Sequence, residues 1–399
     1  MIYPSIVGII CPYLFIFIAS CSTVNIKQRG DALRSIIGSV RDGSFEYDER
    51  QPPKTNWSMY DRAQIGEVTL YLENIRDLVD EAERRINDRS PPKKRGPGRP
   101  PVNSADIAKA LLMQSYFGAP NRVAQGLLDL FREKLGIDRS FSYKTIERGY
   151  DRETVNEVLD EITRIMNESV EGIEYTFSFD GTGFSSNNKE NYAAKRQAQN
   201  SKKGSKKGGK KETIPNDSFP ESATKSKRGF TYSVMGIGVH TKLVAGMAIS
   251  SNHSIGETTM FPEAFQQAIS YHPDMDAVLG DGIYAARWIT NLVATHHVTP
   301  YFLPKANVTF KSKGYSGWGD MLLSLQNSPQ EWMSQYHMRS ISETVNSMIK
   351  CRFGQPIRKR LNPRRKTETR LKIIGHNVRR VGCLEIFEEI IPHWRRCGL

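Results

Sequence analysis

The stretch Tyr175-Thr-Phe-Ser-Phe-Asp-Gly181 marks the point at which the character of the sequence changes. From Thr176 to Asp180 apolar and polar residues alternate strictly, which is the period of a β-strand. Upstream of it, apolar residues recur at the three- and four-residue steps of helices. The stretch therefore predicts the first strand of a sheet, with a carboxylate, Asp180, at its end.

Further strand patterns follow. The pattern predicts a hairpin, a short apolar strand, a helix and another strand, which together indicate a mixed α/β sheet. These elements are expected at Phe230–His240, Lys242–Ser250, Ala277–Asp281, Ala285–Ala294 and His297–Leu303. Asp281, like Asp180, ends its strand and precedes a glycine. Ligands bind at the carboxyl ends of strands in open α/β sheets, so both aspartates are candidate site residues.

The polar stretch after the hairpin carries His253 and Glu257. Its composition favours a loop, and a structural role in that loop is the interpretation we prefer for both residues. The alternative is that they line the same site as the aspartates.

The segment Trp332–Arg352 contains no proline or glycine and is predicted to be one helix. At about 100° per residue, four polar residues fall within a sector of roughly 60°. They are Tyr336, Arg339, Glu343 and Lys350. Such a stripe is either a solvated face or a functional surface.

The spacing Tyr336-x2-Arg339-x3-Glu343-x6-Lys350 resembles the Tyr-Arg-Glu-Lys signature of the DDE transposases of prokaryotic insertion sequences. Asp180 and Asp281 are similar to the first two acidic residues of that family's triad. The resemblance extends from Tyr175 to near Val381. The chain departs from the family pattern in Asp281-Gly-Ile-Tyr284, where the glycine comes early and the tyrosine keeps its offset.

This resemblance implies an RNase H-like mixed-sheet catalytic core over residues 175–382, behind an N-terminal all-α region. It implies that Asp180, Asp281 and Glu343 are catalytic and hold two Mg²⁺ ions, for which Mn²⁺ can substitute. We expect Asp180 to bridge the ions. Carboxylates are the ligands that hard cations prefer, and two such ions clamp the attacking and leaving oxygens of a phosphodiester.

The other stripe residues are expected to contact DNA. Arg339 and Lys350 have the charge to hold phosphates near the scissile bond. Tyr336 either hydrogen-bonds a phosphate or packs at the edge of the core.

The N-terminal half contains two predicted units. In residues 31–101, an irregular segment up to residue 57 precedes an amphipathic helix from Met59 to Ile86 and a basic Gly/Pro segment. That segment carries Lys93, Lys94, Arg95 and Arg99, and it is either an AT-hook-like minor-groove contact or a plain basic linker. Residues 102–174 read as short helices, which suit a helical DNA-binding domain or a generic bundle.

The chain of 399 residues has a net charge of +13, which favours a polyanionic partner. The positive charge concentrates in the linker, in residues 185–228 and in the segment from Lys350 to the end, so the remainder is acidic. The Lys-rich insert 185–228 is predicted to be disordered, as a DNA tether or a tolerated loop expansion.

We expect residues 1–30 to be an apolar leader or an upstream extension, and residues 383–399 to form a tail. Five cysteines without a C-x-x-C pair argue against a disulfide scaffold.

The sequence thus predicts a transposase that cuts the ends of an insertion sequence and joins the 3′-OH to target DNA. Double-stranded DNA, a second copy in the DNA complex and a cytoplasmic, nucleoid-associated location without membrane contact are the expected surroundings. The alternatives are a metal-dependent nuclease of the same fold and a non-catalytic DNA-binding relict.

Overall fold

The structure, a computed structural model, describes residues 26–48, 54, 56–90, 101–185, 230–252 and 255–387. Several predicted features lie outside the described residues. They are residues 1–25, the linker residues Lys93, Lys94, Arg95 and Arg99, nearly all of the insert 185–228, His253 and the end of the tail. Among the described helices, none combines the length and apolar character needed to cross a membrane.

Helices precede and follow a single described sheet. Before the sheet lie α1 (Ile26–Asp42), α2 (Trp57–Arg89), α3 (Ser104–Phe117), α4 (Asn121–Phe131), α5 (Tyr143–Gly149) and α6 (Glu153–Glu168). The strands are β1 (Thr176–Ser185), β2 (Phe230–Gly238), β3 (Val244–Ser250), β4 (Ala277–Gly280) and β5 (Thr299–Phe302). The later helices are α7 (Glu257–Tyr271), α8 (Arg287–Thr295), α9 (Ser316–Asn327), α10 (Pro329–His337), α11 (Ser340–Phe353) and α12 (Asn362–Phe387).

The sheet has the strand order β3-β2-β1-β4-β5. β1 pairs antiparallel with β2 and parallel with β4, and β5 continues parallel to β4. The β1–β4 pairing ends with Phe179 opposite Gly280, so the next residues, Asp180 and Asp281, emerge side by side. This register brings together two carboxylates about a hundred residues apart in sequence.

β1 is longer than its sequence pattern predicted. It continues through Gly181 and Gly183 to Ser185, paired with β2 along its whole length. The prediction that Asp180 ends the strand is therefore wrong: Asp180 lies within β1, at the point where only the pairing with β4 stops.

Each face of the sheet has its own core. Phe177 and Phe179 pack on one face with α7, whose Phe261 and Phe265 are fully buried. Phe184 lies on the other face, in a core that includes the helices α2, α3, α6, α11 and α12. α6 thus packs against β3, and α2 and α3 share the core on this face of the sheet through their contacts with α6 and α12.

The expectation that residues 31–57 are irregular is wrong, because α1 occupies much of that segment. Leu33 and Ile37, one turn apart, are fully buried in the core that also contains Phe177. Arg41 at the last turn donates a 2.9 Å hydrogen bond to the Pro304 carbonyl. Ile36 and Val40 pack partly buried beside them, so burial of one face in this core stabilises the helix.

α2 confirms the amphipathic helix predicted from Met59 to Ile86. Its apolar stripe, which runs from Ile65 to Ile86, is buried only in part. The Asn56 side chain caps it by accepting from the Met59 amide at 3.3 Å. The C-terminal half of the stripe is buried, at Leu72, Ile75, Val79 and Ala82. Ile65 is 87% exposed and Val68 41% exposed, so the stripe is uncovered before Leu72, although Ala63 on a neighbouring side of the helix is buried.

The predicted single helix over Trp332–Arg352 is two helices. Around Met338 and Arg339 the backbone hydrogen bonds run from residue i+3 to residue i, as in a 3₁₀ turn. This tighter winding rotates α11 relative to α10. Tyr336 is consequently buried and Glu343 exposed, so the one polar stripe predicted from a continuous helix does not form.

Candidate active site

The site lies at the end of the β1–β4 pairing. Hydrogen bonds join this edge of the sheet to α11 and to the turn before it. Ser178, two residues before Asp180 and on the same face of β1, donates a 3.1 Å hydrogen bond to the Arg339 carbonyl. Two turns along α11, the Asn346 side-chain amide donates to the Asp180 carboxylate at 2.8 Å. These two bonds place the predicted third acidic residue, Glu343, across from the two aspartates.

Asp180 is half-buried, and both its burial and the neighbouring carboxylates disfavour its charged form. Burial raises the pKa of Asp180, and the neighbouring charges of Glu343 and Asp281 raise it further. Hydrogen bonds from the Gly181 amide and the Asn346 side chain oppose that rise in the pKa. The structure therefore brings all three predicted catalytic carboxylates within electrostatic range of one another.

Asp281 and Glu343 face this edge from more open positions. Asp281 follows β4 and is exposed, and its carboxylate accepts a 2.7 Å hydrogen bond from the Gly282 amide. Glu343, in the first turn of α11, is 68% exposed at its side chain and lies 3.5 Å from the Arg339 guanidinium. Because both carboxylates are hydrated, they retain freedom to rearrange around a ligand.

Glu257 is a fourth carboxylate at the site, and the preference for a loop role was wrong. It begins α7, and its carboxylate lies against Gly181, where an added Cβ would come within 2.3 Å of the carboxyl carbon. Burial raises the pKa of Glu257, followed by the charges of Asp180 and Asp281. The sequence signal was Gly181 itself, since a glycine within a strand marks the close approach of another group.

Two buried polar atoms at the site lack a hydrogen-bond partner among the described residues. One is the hydroxyl of Tyr284, a fully buried side chain, and the other is the side-chain oxygen of Asn346. Burial raises the pKa of Tyr284, and three negative charges raise it further. Those charges belong to Glu257, Asp180 and Asp281. A buried polar group without a partner is costly, so both atoms are candidates for contact with a ligand or water at this edge.

The basic and aromatic residues of the predicted stripe divide into two groups. Lys350 is half-buried on α11; burial lowers its pKa, and the charge of Asp180 opposes that change. Tyr336 is 7% exposed, stacks on Trp332 with ring centroids 5.3 Å apart, and lies beneath the Arg339 guanidinium. Lys350 and Arg339 thus lie next to the carboxylates, whereas the Tyr336 ring packs in the core.

The oxygen atoms at this site are the type of ligand that a hard divalent cation prefers. Four carboxylates and an unpaired amide oxygen are ligands of the type that Mg²⁺ takes. Their mutual repulsion, expressed in the raised pKa of Asp180, is an excess of negative charge that a cation would neutralise. Within the described ranges, no group of three or more His, Cys, Asp or Glu is already placed to hold a metal ion. The donors therefore fit such an ion by chemistry and need to draw closer to enclose it.

Comparison with known proteins gives one informative similarity. No model of a known protein family matches the chain, and no solved structure does. The chain is 24% identical over 358 residues to a protein of Archaeoglobus fulgidus named probable transposase for insertion sequence element ISA1214. The alignment covers 88% of this chain and 94% of that protein, so the similarity includes the helical region as well as the sheet and the carboxylate site.

Proposed function

We propose that this protein is a DNA transposase of the DDE type, with an RNase H-like core and the Tyr-Arg-Glu-Lys signature on α10 and α11. The observation that carries the proposal is the meeting of Asp180, Asp281 and Glu343 at one edge of the sheet. The five-stranded mixed sheet and the similarity to a probable insertion-sequence transposase support it.

In this proposal Asp180, Asp281 and Glu343 hold two Mg²⁺ ions, with Mn²⁺ as a substitute. When bound, the ions supply charge stabilisation at the attacking and leaving oxygens of the phosphodiester. The Asn346 amide orients the Asp180 carboxylate, and Ser178 fixes the turn that carries Arg339. Lys350 and Arg339 hold the DNA phosphates beside the carboxylates, Lys as a point charge and Arg through a planar fork.

The proposed partner is double-stranded DNA, first the ends of the element and then the target. A second copy of the chain in the DNA complex and an association with the nucleoid belong to the same proposal. The reaction needs two strand-breaking and joining steps, and a pair of sites acting on paired ends would coordinate them.

The test is metal-dependent cleavage of DNA that carries the ends of the element, with Asp180→Asn, Asp281→Asn and Glu343→Gln. Loss of several kcal/mol of charge stabilisation corresponds to a rate loss of about 10³-fold or more. Asp320→Asn, an exposed carboxylate on α9, is the matched control and should cleave normally. Normal cleavage by any of the three variants would remove that residue from the catalytic set.

A strand-transfer assay on the same DNA separates the proposal from its alternatives. Cleavage followed by joining of the 3′-OH to a second duplex supports a transposase. Cleavage without joining indicates a nuclease of the same fold, and DNA binding with neither activity indicates a relict.

A further inference from the structure

A basic cavity lies beside the carboxylate site, between the N-terminal helices and the segment that joins α11 to α12. It has a volume of about 590 Å³ and is lined by residues of α3, α5, α12 and that joining segment. Five of its lining residues are cationic and two are acidic. The cationic residues are Arg358, Lys359, Arg360, Arg364 and Lys372, and the acidic ones are Glu147 and Glu368.

The carboxylates of the two acidic residues in the cavity already have partners within the protein. Glu147 accepts a 2.8 Å ion-pair contact from Arg364. Glu368 accepts hydrogen bonds from the backbone amides of Arg358 and Lys359, at 3.0 and 2.8 Å. Glu368 therefore caps the joining segment through backbone amides, and its negative charge also acts on the nearby ammonium groups of Lys359 and Lys372.

The two lysines of the cavity, Lys359 and Lys372, donate their hydrogen bonds to uncharged groups. Lys372 is buried, donates to the carbonyls of Gly354 and Pro356, and has its pKa lowered by burial to about 8. Lys359 donates to the Asn121 side chain at 2.7 Å and lies 3.9 Å from the centroid of the Tyr150 ring. Both ammonium groups lose solvation here, and the charge of Glu368 offsets only part of that cost, since the pKa of each lysine stays lowered.

Two arginines at the rim are exposed. Arg358 donates to the Gly118 carbonyl at the end of α3, which ties the joining segment to the helical region. Among the described residues, none forms a hydrogen bond or ion pair with the Arg360 side chain. An exposed guanidinium above a cavity with excess positive charge is suited to a phosphate oxygen.

The segment that lines the cavity is joined to the end of β1, the strand that carries Asp180. The Ile357 amide donates a 2.7 Å hydrogen bond to the carbonyl of Ser185, the last residue of β1. Lys350 and Lys372 lie 5.8 and 5.7 Å from the Phe184 ring centroid, one on each side of the boundary between site and cavity. Asp180 and Ser185 are five residue steps apart along the strand, or about 17 Å.

We propose that this cavity binds the sugar-phosphate backbone of the DNA whose scissile phosphate lies at Asp180, about five base steps away at roughly 3.4 Å per step. The inference rests on the proposed function and adds the path that the DNA takes. Arg358 and Arg360 contact phosphates at the rim, and Lys359 and Lys372 supply the positive field beneath them. A small phosphate-bearing molecule is the other possible occupant, but the connection of the lining segment to β1 and the exposed rim cations favour a continuous backbone.

The test measures how the affinity of the full chain for a short fluorescent duplex depends on salt between about 0.05 and 0.2 M. Each lost phosphate contact reduces the slope of log K against log salt by about 1 and weakens binding similarly for all sequences. Arg358→Gln with Arg360→Gln should therefore reduce the slope by about 2. Arg62→Gln with Lys134→Gln removes two exposed charges, near the start of α2 and beyond the far end of α4, and should leave the slope unchanged.

The outcomes separate cleanly. Equal slopes for the cavity and control variants would overturn the proposal, as would cavity variants that lose inorganic phosphate binding while keeping the DNA slope. Because Arg358 also bonds Gly118, thermal unfolding is measured in parallel, and Arg360→Gln alone tests the same point with an expected change of about 1. Asp180→Asn should keep the parental slope while losing cleavage. If Asp180→Asn cleaves normally, the catalytic assignment fails and the slope result for the cavity still stands.

Discussion

The four carboxylates at the site form two pairs whose charges are accommodated differently. In the half-buried pair, Asp180 and Glu257, burial is the largest cause of a raised pKa, and neighbouring negative charge adds to it. In the exposed pair, Asp281 and Glu343, the carboxylates project into solvent. The half-buried pair is fixed by β1, α7 and Asn346, whereas Glu343 is restrained by a single ion-pair contact with Arg339.

This difference suggests a division of labour at the site. If the site binds Mg²⁺ as we propose, the fixed pair would contribute ligands that are already positioned, and the solvated carboxylates would be the ones that move towards the cation. Substitutions that affect one pair and not the other therefore test the comparison.

The largest effect is expected from Gly181→Ala, because its Cβ would occupy the position of the Glu257 carboxylate. Displacing that carboxylate should cost about 1–3 kcal/mol in the free energy of unfolding, as other overpacked sites do. It should also weaken activation of cleavage by Mg²⁺ by roughly tenfold or more, as loss of supporting groups does at other metal sites. Thermal unfolding and a Mg²⁺ titration of cleavage measure the two effects.

Gly183→Ala is the matched control on the same strand and the same face. A Cβ at Gly183 would meet the Phe230 and Tyr232 rings at 3.6 Å or more, which is ordinary contact. If both alanine variants unfold and respond to Mg²⁺ alike, the half-buried pair is not held by the close approach at Gly181.

An intermediate effect, measured as a change in Tm, is expected when a carboxylate of either pair is neutralised in the metal-free protein. Folding raises the pKa of Asp180 and Glu257, so the folded chain binds those protons more tightly than the unfolded chain. Stability is therefore lost as pH rises from the unfolded values, about 3.9 and 4.3, through the folded ones. At neutral pH, Asp180→Asn and Glu257→Gln should each raise Tm by a few degrees.

Glu343→Gln provides the contrast, since its carboxylate is solvated and surface substitutions usually change stability by about 0.5 kcal/mol or less. Added Mg²⁺ should raise Tm in the parent protein and not in Asp180→Asn, because only a bound ligand stabilises the fold. Equal Tm changes for Glu343→Gln and Asp180→Asn would show that the two pairs do not differ in electrostatic cost.

The sequence predicted the parts of the fold that repeat a local period. The α2 helix, the hairpin of β2 and β3, and the strand before Asp281 follow from apolar spacing, because each buries a regular face. Asp180, Asp281 and Glu343 were found because a motif spacing accompanied two strand patterns. The structure brings these three residues together, although the reaction they perform stays a prediction.

The errors share a physical cause, which is that long-range contacts override local signals. α7 was missed because it contains Pro262 and begins in a polar stretch, yet its Phe261 and Phe265 bury against β1. The turn at Arg339 contains no glycine or proline, and a hydrogen bond from Ser178 on another element fixes it. No local pattern could report that contact, or the one between Glu257 and Gly181.

The smallest effect is expected from Asn346→Ala, which removes no carboxylate from either pair. Its amide donates to Asp180 and lowers the pKa of that carboxyl, so its removal should raise the pKa further. If cleavage requires ionised Asp180, the acidic limb of the pH–rate profile should move to higher pH, with a rate near that of the parent on the plateau. Ser347→Ala, the next residue along the exposed side of α11, should leave the profile unchanged. A parental acidic limb in Asn346→Ala would mean that protonation of Asp180 does not limit the reaction, and that the half-buried pair titrates outside the working range.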